Sequence, residues 1–229
     1  MLRTAENARP KSLLDTIETM ADEASAEGYS LSQIMDQLDE RAFGAMLFVL
    51  ALPCCIPFLY GVPQIVALPM IAIAAQMAMG RQEPWLPGAL ARRMVDKAGL
   101  SSMARGGRKW FGWVEAIAKP RLTFLTGAGP ERVLGVLLCV FCASILVPLP
   151  MTNTIPGFAV ALVAFGLLER DGLMIIGGLV LGTLWVGALV TAVLWLVAQG
   201  MELSAENVEL FVKGLLGMDD ETAQGPSTP

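Results

Sequence analysis

Residues 42–80 read AFGAMLFVLALPCCIPFLYGVPQIVALPMIAIAAQMAMG, a stretch without a charged side chain. It is broken once, at Pro53-Cys-Cys-Ile-Pro57-Phe-Leu-Tyr-Gly61-Val-Pro63. A second charge-free stretch, Val133 to Leu168, breaks at Val147-Pro148-Leu-Pro150-Met-Thr-Asn153-Thr-Ile-Pro156-Gly157. A third, Gly172 to Met201, has neither charge nor proline. Uncharged apolar runs of about 18 residues or more mark membrane segments. Proline removes a backbone donor and breaks a helix, so the first two stretches are predicted to be helical hairpins.

Composition agrees. The chain is 55% hydrophobic with a mean hydropathy of +0.59, and only 16% of it is charged; soluble domains carry about 25%. The expected class is an all-α, polytopic helical membrane protein. Net charge is -5, which argues against nucleic-acid binding. Residues 1–41 hold four Lys/Arg and nine Asp/Glu, residues 81–132 hold ten and four, and residues 199–229 hold one and six. The basic middle segment is short enough for the positive-inside rule, so it is placed in the cytoplasm. The N-terminus returns to the same side, and the acidic tail lies across the membrane. No signal peptide is expected, because the first apolar run begins only near residue 42.

Aligning Glu40-Arg41 with Glu131-Arg132 sets Gly44 on Gly135 and Pro57 on Pro148. After a two-residue gap, Pro63 falls on Pro156 and Gln76 on Glu169. This reads as an internal duplication of one hairpin. The resulting organisation is 1–41, amphipathic helices on the cytoplasmic side; 42–201, a membrane domain; and 202–229, an acidic tail. The membrane domain divides into hairpin 42–80, basic interfacial segment 81–132, hairpin 133–168 and span 172–201. The hairpin arms are about 18–25 Å long at 1.5 Å per residue, against a hydrocarbon core of about 30 Å. Re-entrant hairpins with protein-covered tips are expected, with ordinary paired spans the alternative.

In residues 1–41, Ser12-Leu-Leu-Asp15 reads as a capping box and Ser30-Leu-Ser-Gln33 starts a second helix. Both helices are acidic on their polar faces, which favours packing on the membrane domain over anionic lipid. The basic segment, with Trp110 and Trp113 among its cations, suits a helix at lipid headgroups. Gly178 and Gly182 form a small-xxx-small pair for close helix contact. Cys54, Cys55, Cys139 and Cys142 read as small core residues.

There is no GxSxG, P-loop or HExxH motif, and there is no histidine. No enzyme, cofactor or metal is expected. The polar groups of the apolar stretches are few. Gln64, Gln76, Thr152, Asn153 and Thr154 are the candidates for a polar cavity between the hairpins. Pro57, Pro63, Pro148 and Pro156 are the candidate turn residues. Asn153 either lines that cavity opposite Gln64 or caps its own helix. Glu169-Arg170-Asp171 reads as an ion pair at a helix end.

Several of these segments together resemble the ExoD family of bacterial exopolysaccharide-synthesis membrane proteins. They are Glu40-Arg-Ala-Phe-Gly44, the turn with Leu52-Pro53, Pro57 and Gly61-Val62, Leu68-Pro69, Gln76 to Arg81, Pro84-Trp85-Leu-Pro87, Arg121-Leu-Thr-Phe-Leu125, Pro148 to Pro156 and Gly166-Leu-Leu-Glu169-Arg170-Asp171-Gly172. The resemblance spans roughly residues 30–198. It implies a multi-pass protein of the bacterial inner membrane that supports exopolysaccharide synthesis or export. Three roles are compatible with it: a small transporter, a structural scaffold for a polysaccharide synthase, and, least favoured, an enzyme on lipid-linked sugars. The expected partners are membrane lipids, polysaccharide-synthesis machinery and a second copy of the chain.

Overall fold

The computed structural model describes residues 13–24, 28–57, 59, 61–117, 121–147 and 153–199, with the isolated positions 207, 210 and 214. Pro148 and Thr152, the Ser12 end of the first capping box, the side chains of Trp110 and Trp113, and almost all of the acidic tail lie outside the described residues. The described part is predominantly helical, as expected.

Four helices form the centre. They are α3 (Ala42–Ala51, continued by a 3₁₀ turn Leu52–Cys55), α4 (Val62–Ala78), α7 (Ala128–Ile145) and α8 (Thr154–Glu169). Each arm packs more extensively on the other hairpin than on its own partner. Gly44 of α3 faces Ala164 and Leu168 of α8, and Gly157 at the start of α8 lies against Cys54. Gly135 of α7 faces Ala74 and Ala78 of α4, and the Cys139 thiol points at the Ile71 carbonyl at 3.8 Å. Both pairs are therefore antiparallel, and the helix ends that flank both turns lie at one end of the bundle, the turn end. Phe43, Leu47, Met70, Leu138, Phe141 and Val160 form the core between them.

The long helix α9 (Gly172–Ala198) starts at the other end, which we call the base. A one-residue reversal leads into it. Arg170 takes a left-handed φ of 54°, and the buried Asp171 carboxylate caps α9 by accepting from Leu173 N at 3.0 Å. The Glu169-Arg170-Asp171 triplet thus contains a helix cap as well as charges. Helix α9 then lies in the crease between α7 and α8. Gly178 abuts Ala159 and Val163 of α8, and Gly182 abuts Phe141 of α7. The small-xxx-small pair does make close helix contacts.

At the base, α1 (Leu13–Glu23) packs on α6 (Lys97–Ile117). Arg108 pairs with Asp15 at 3.1 Å and with Glu18 at 2.6 Å. Helix α2 (Leu31–Leu38) opens with a full capping box between Ser30 and Gln33. A two-residue strand β1 (Tyr29–Ser30) pairs antiparallel with β2 (Met94–Val95), and a short α5 (Gly88–Ala91) lies before it. Ile17, Ile34, Leu38, Leu100 and Ala104 close a second core over Ala42 and Leu168. So the acidic N-terminal helices do pack on the rest of the chain, and part of the basic segment is neutralised by them.

Among the described residues one helix, α9, is long and apolar enough to cross a membrane. Helices α3, α4 and α8 are apolar but shorter. Glu131 and Arg132 lie in the first turns of α7, which extends the second hairpin's first arm back to Ala128.

Candidate functional site

The predicted polar residues divide between the two ends of the bundle. Gln64 lies in the first turn of α4, and its buried Oε1 has no hydrogen-bond partner among the described residues. An orphaned buried acceptor costs about 1–3 kcal/mol. Asn153 is the N-cap residue of α8, followed by Thr154. Its backbone carbonyl accepts from Gly157 N at 3.1 Å, but its side chain makes no capping bond. The bundle thus sets Gln64, Asn153 and Thr154 at the turn end. A buried indole donor, Trp185 Nε1 of α9, is also without a partner among the described residues. Pro63 and Pro156 are buried in the first turns of α4 and α8, where the missing N–H costs no helical bond. Pro57 is exposed, as are Ile56, Gly61 and Val62. The apex of the first tip is thus exposed, whereas Cys54 and Pro63 on either side of it are buried.

Gln76 stands apart from this group. It is three turns further along α4, roughly 18 Å from Gln64. Its amide grips the backbone of Trp85, accepting from Trp85 N at 2.5 Å and donating to Trp85 O at 3.4 Å. That clamp fixes the Pro84-Trp85-Leu-Pro87 corner against the base of the first hairpin.

The corner borders a cavity of about 520 Å³, which no pattern in the sequence foreshadows. It occupies the crease between α3 and α4, with Met46, Val49, Pro69 and Ala72 on its walls. Ile34 and Leu168 lie at its base. Apart from Gln76 the described side chains that line it are apolar. Pro69 sits inside α4, where it cannot donate to Ile65. A second, polar crevice of about 310 Å³ lies beside it and shares Met35, Trp85 and Leu86. Ser32, Asp36, Arg81 and Glu83 line that crevice.

No group of three or more His, Cys, Asp or Glu side chains suited to a metal occurs among the described residues. Near the base, Arg41 is held below its ordinary pKa, first by burial and then by the positive charge of Arg170. Glu169 works in the opposite direction.

These features define a predominantly helical protein with an apolar bundle and a charged cap at one end. The chain matches the family described as "Exopolysaccharide synthesis, ExoD" over residues 13–191. It is 31% identical over 173 residues to Protein ExoD of Rhizobium meliloti, covering 73% of this chain and 72% of that protein. It is 30% identical over 175 residues to an uncharacterized protein of Synechocystis sp., covering 75% of this chain and 81% of that protein. No solved structure matches. The chain belongs to the ExoD family, and membership ties it to exopolysaccharide synthesis.

Proposed function

We propose that this chain is a multi-pass protein of the bacterial inner membrane that supports exopolysaccharide synthesis or export as a small non-enzymatic transporter. The reciprocal packing of the two hairpins carries this reading. The first arm of each lies on the second arm of the other, and Gly44 and Gly135, equivalent in the sequence alignment, both mark the close approach. A duplicated unit around a shared axis is a common transporter plan.

The periphery supports a lipid environment. Leu173, Ile176, Val180 and Leu184 form one exposed apolar face of α9, and Ile65, Leu68, Val133, Val136 and Phe158 are exposed on the other helices. Contiguous exposed apolar surface on this scale is rare on a soluble monomer. Helix α9 is about 40 Å long and α8 about 24 Å, and α8 ends at the base where α9 begins. The hairpin tips therefore stop short of the far end of α9, which fits hairpins that enter from the cytoplasmic side. Gln64 at the turn end, with its unpartnered acceptor, supplies a polar point inside an otherwise apolar bundle. The scaffold reading, through the basic segment, is weakened because Arg108 of that segment is already held by Asp15 and Glu18.

Cysteine labelling tests the topology in intact cells. In a background without the four native cysteines, an impermeant reagent should modify Asp220→Cys and leave Lys97→Cys untouched. The opposite pattern would refute the orientation. In a deletion strain, Asn153→Leu should fail to restore exopolysaccharide while melting in detergent within a few degrees of the parent. A variant that restores it fully would remove the turn end from the mechanism.

A further inference from the structure

The two hairpins differ in what fills their creases. The crease between α7 and α8 holds α9, seated through Gly178 and Gly182. The crease between α3 and α4 holds the apolar cavity of about 520 Å³. A helix about 10 Å across fills roughly 420 Å³ per turn, so the cavity accommodates little more than one turn of a second copy. At roughly 30 Å³ per water-sized group it accommodates about 17 methylene-sized groups, the length of one acyl chain. Its wall is apolar enough for such a chain, and the exposed Val49 and Leu90 leave its side open toward the lipid-facing surface.

The adjoining crevice supplies headgroup chemistry. Arg81 follows Gly80 at the C-terminal end of α4, fixed by its backbone N–H on the Gln76 carbonyl at 3.2 Å. Asp36 of α2 and Glu83 also line the crevice, and none of the three forms an ion pair among the described residues. One guanidinium suits a phosphate, and two carboxylates suit an ammonium. The net negative charge of the three disfavours a lipid that is anionic overall. The shared wall of Met35, Trp85 and Leu86 joins this polar mouth to the apolar groove at the level of the base.

We infer that the α3–α4 crease binds one acyl chain of a zwitterionic aminophospholipid, with the phosphate on Arg81 and the ammonium between Asp36 and Glu83. The inference rests on the membrane reading above and adds a defined lipid site to it. Gln76 positions the site by holding Trp85 in the wall between groove and mouth.

Native mass spectrometry of the full chain in mild detergent tests this, with phosphatidylethanolamine and phosphatidylglycerol added separately. One phosphatidylethanolamine should be retained, at least ten-fold more strongly than phosphatidylglycerol. Arg81→Gln, an exposed change that leaves the fold alone, should weaken retention at least five-fold. Ala72→Trp should fill the groove and abolish retention, whereas Val180→Trp on α9 should leave it unchanged. Equal retention of both lipids, insensitive to Arg81→Gln, would mean unspecific surface lipid and overturn the site. A dimer that Ala72→Trp dissociates would assign the groove to a second copy and overturn it equally. Carbonate extraction separates the two levels: a chain that stays in the membrane pellet but binds no phosphatidylethanolamine refutes the site alone. A chain released into the supernatant refutes the membrane reading beneath it.

Discussion

The reciprocal packing makes an ordered prediction for three glycine-to-alanine substitutions. A Cβ at Gly135 would stand 2.8 Å from both the Ala74 carbonyl oxygen and Ala78 Cα, and closer still to Ala78 N. All three are backbone atoms of α4 and cannot swing aside. Ordinary contact begins at 3.4 Å, so the two helices must part by at least about 0.6 Å. Overpacking of this kind costs about 1–3 kcal/mol. Alanine recovers about 1 kcal/mol of helix propensity, which leaves a net loss of about 0–2 kcal/mol, at the upper end here because all three clashes are with backbone. At Gly44 the new Cβ would lie 2.9 Å from Ala164 O and 3.1 Å from Leu167 Cβ and Leu168 N. The required shift is smaller, and the net loss should be about 0–1 kcal/mol on the same scales. At Gly187 nothing lies within 4 Å, and alanine should cost nothing. One kcal/mol moves the melting temperature of a chain this size by about 2–4 °C. Circular dichroism melts in detergent should therefore rank the variants Gly135→Ala lowest, Gly44→Ala next, and Gly187→Ala at or above the parent. A Gly135→Ala variant as stable as Gly187→Ala would show that α7 and α4 do not meet as described.

Three further outcomes are expected. Gln76→Leu removes both bonds to the Trp85 backbone and should cost about 1–3 kcal/mol, with faster hydrogen exchange confined to residues 82–90 rather than spread over the bundle. Asp171→Ala deletes the buried cap of α9 and should cost about 0.5–2 kcal/mol, whereas Asp171→Asn, which keeps a capping oxygen, should recover most of the lost melting temperature. Arg108→Ala breaks pairs that are about half exposed, so global stability should change by less than about 1 kcal/mol; limited proteolysis should nevertheless cut between α1 and α2 sooner, and high salt should reproduce that in the parent chain.

The charge-free runs, the prolines that break two of them and the uncharged third run were enough to anticipate a helical bundle with a long final helix. These are local properties. Periodicity, a missing N–H or an unbroken apolar run acts within a few residues and leaves its mark in the order of the letters. The Ser30–Gln33 capping box and the close contacts of Gly178 and Gly182 were legible for the same reason. The family, too, could be recognised from short ordered segments.

Other features depend on residues far apart in the chain and left no such mark. Gln76 and Asn153 looked alike in sequence, as isolated polar groups in apolar surroundings. Helices α4 and α8 both start at the turn end, where Asn153 caps α8, while Gln76 lies near the opposite end of α4, at the base. The pairing of Arg108 with Asp15 and Glu18 spans about ninety residues and arises only when α1 docks on α6. The apolar cavity is the clearest case. Its described wall is assembled mainly from α2, α3, α4 and the Trp85 corner, and none of these segments alone shows a concavity. The sequence determined which stretches are helical and apolar, because those preferences are carried by each residue and its near neighbours. Only the tertiary structure decided which hairpin crease is filled by α9 and which stays open, because that depends on how whole helices pack.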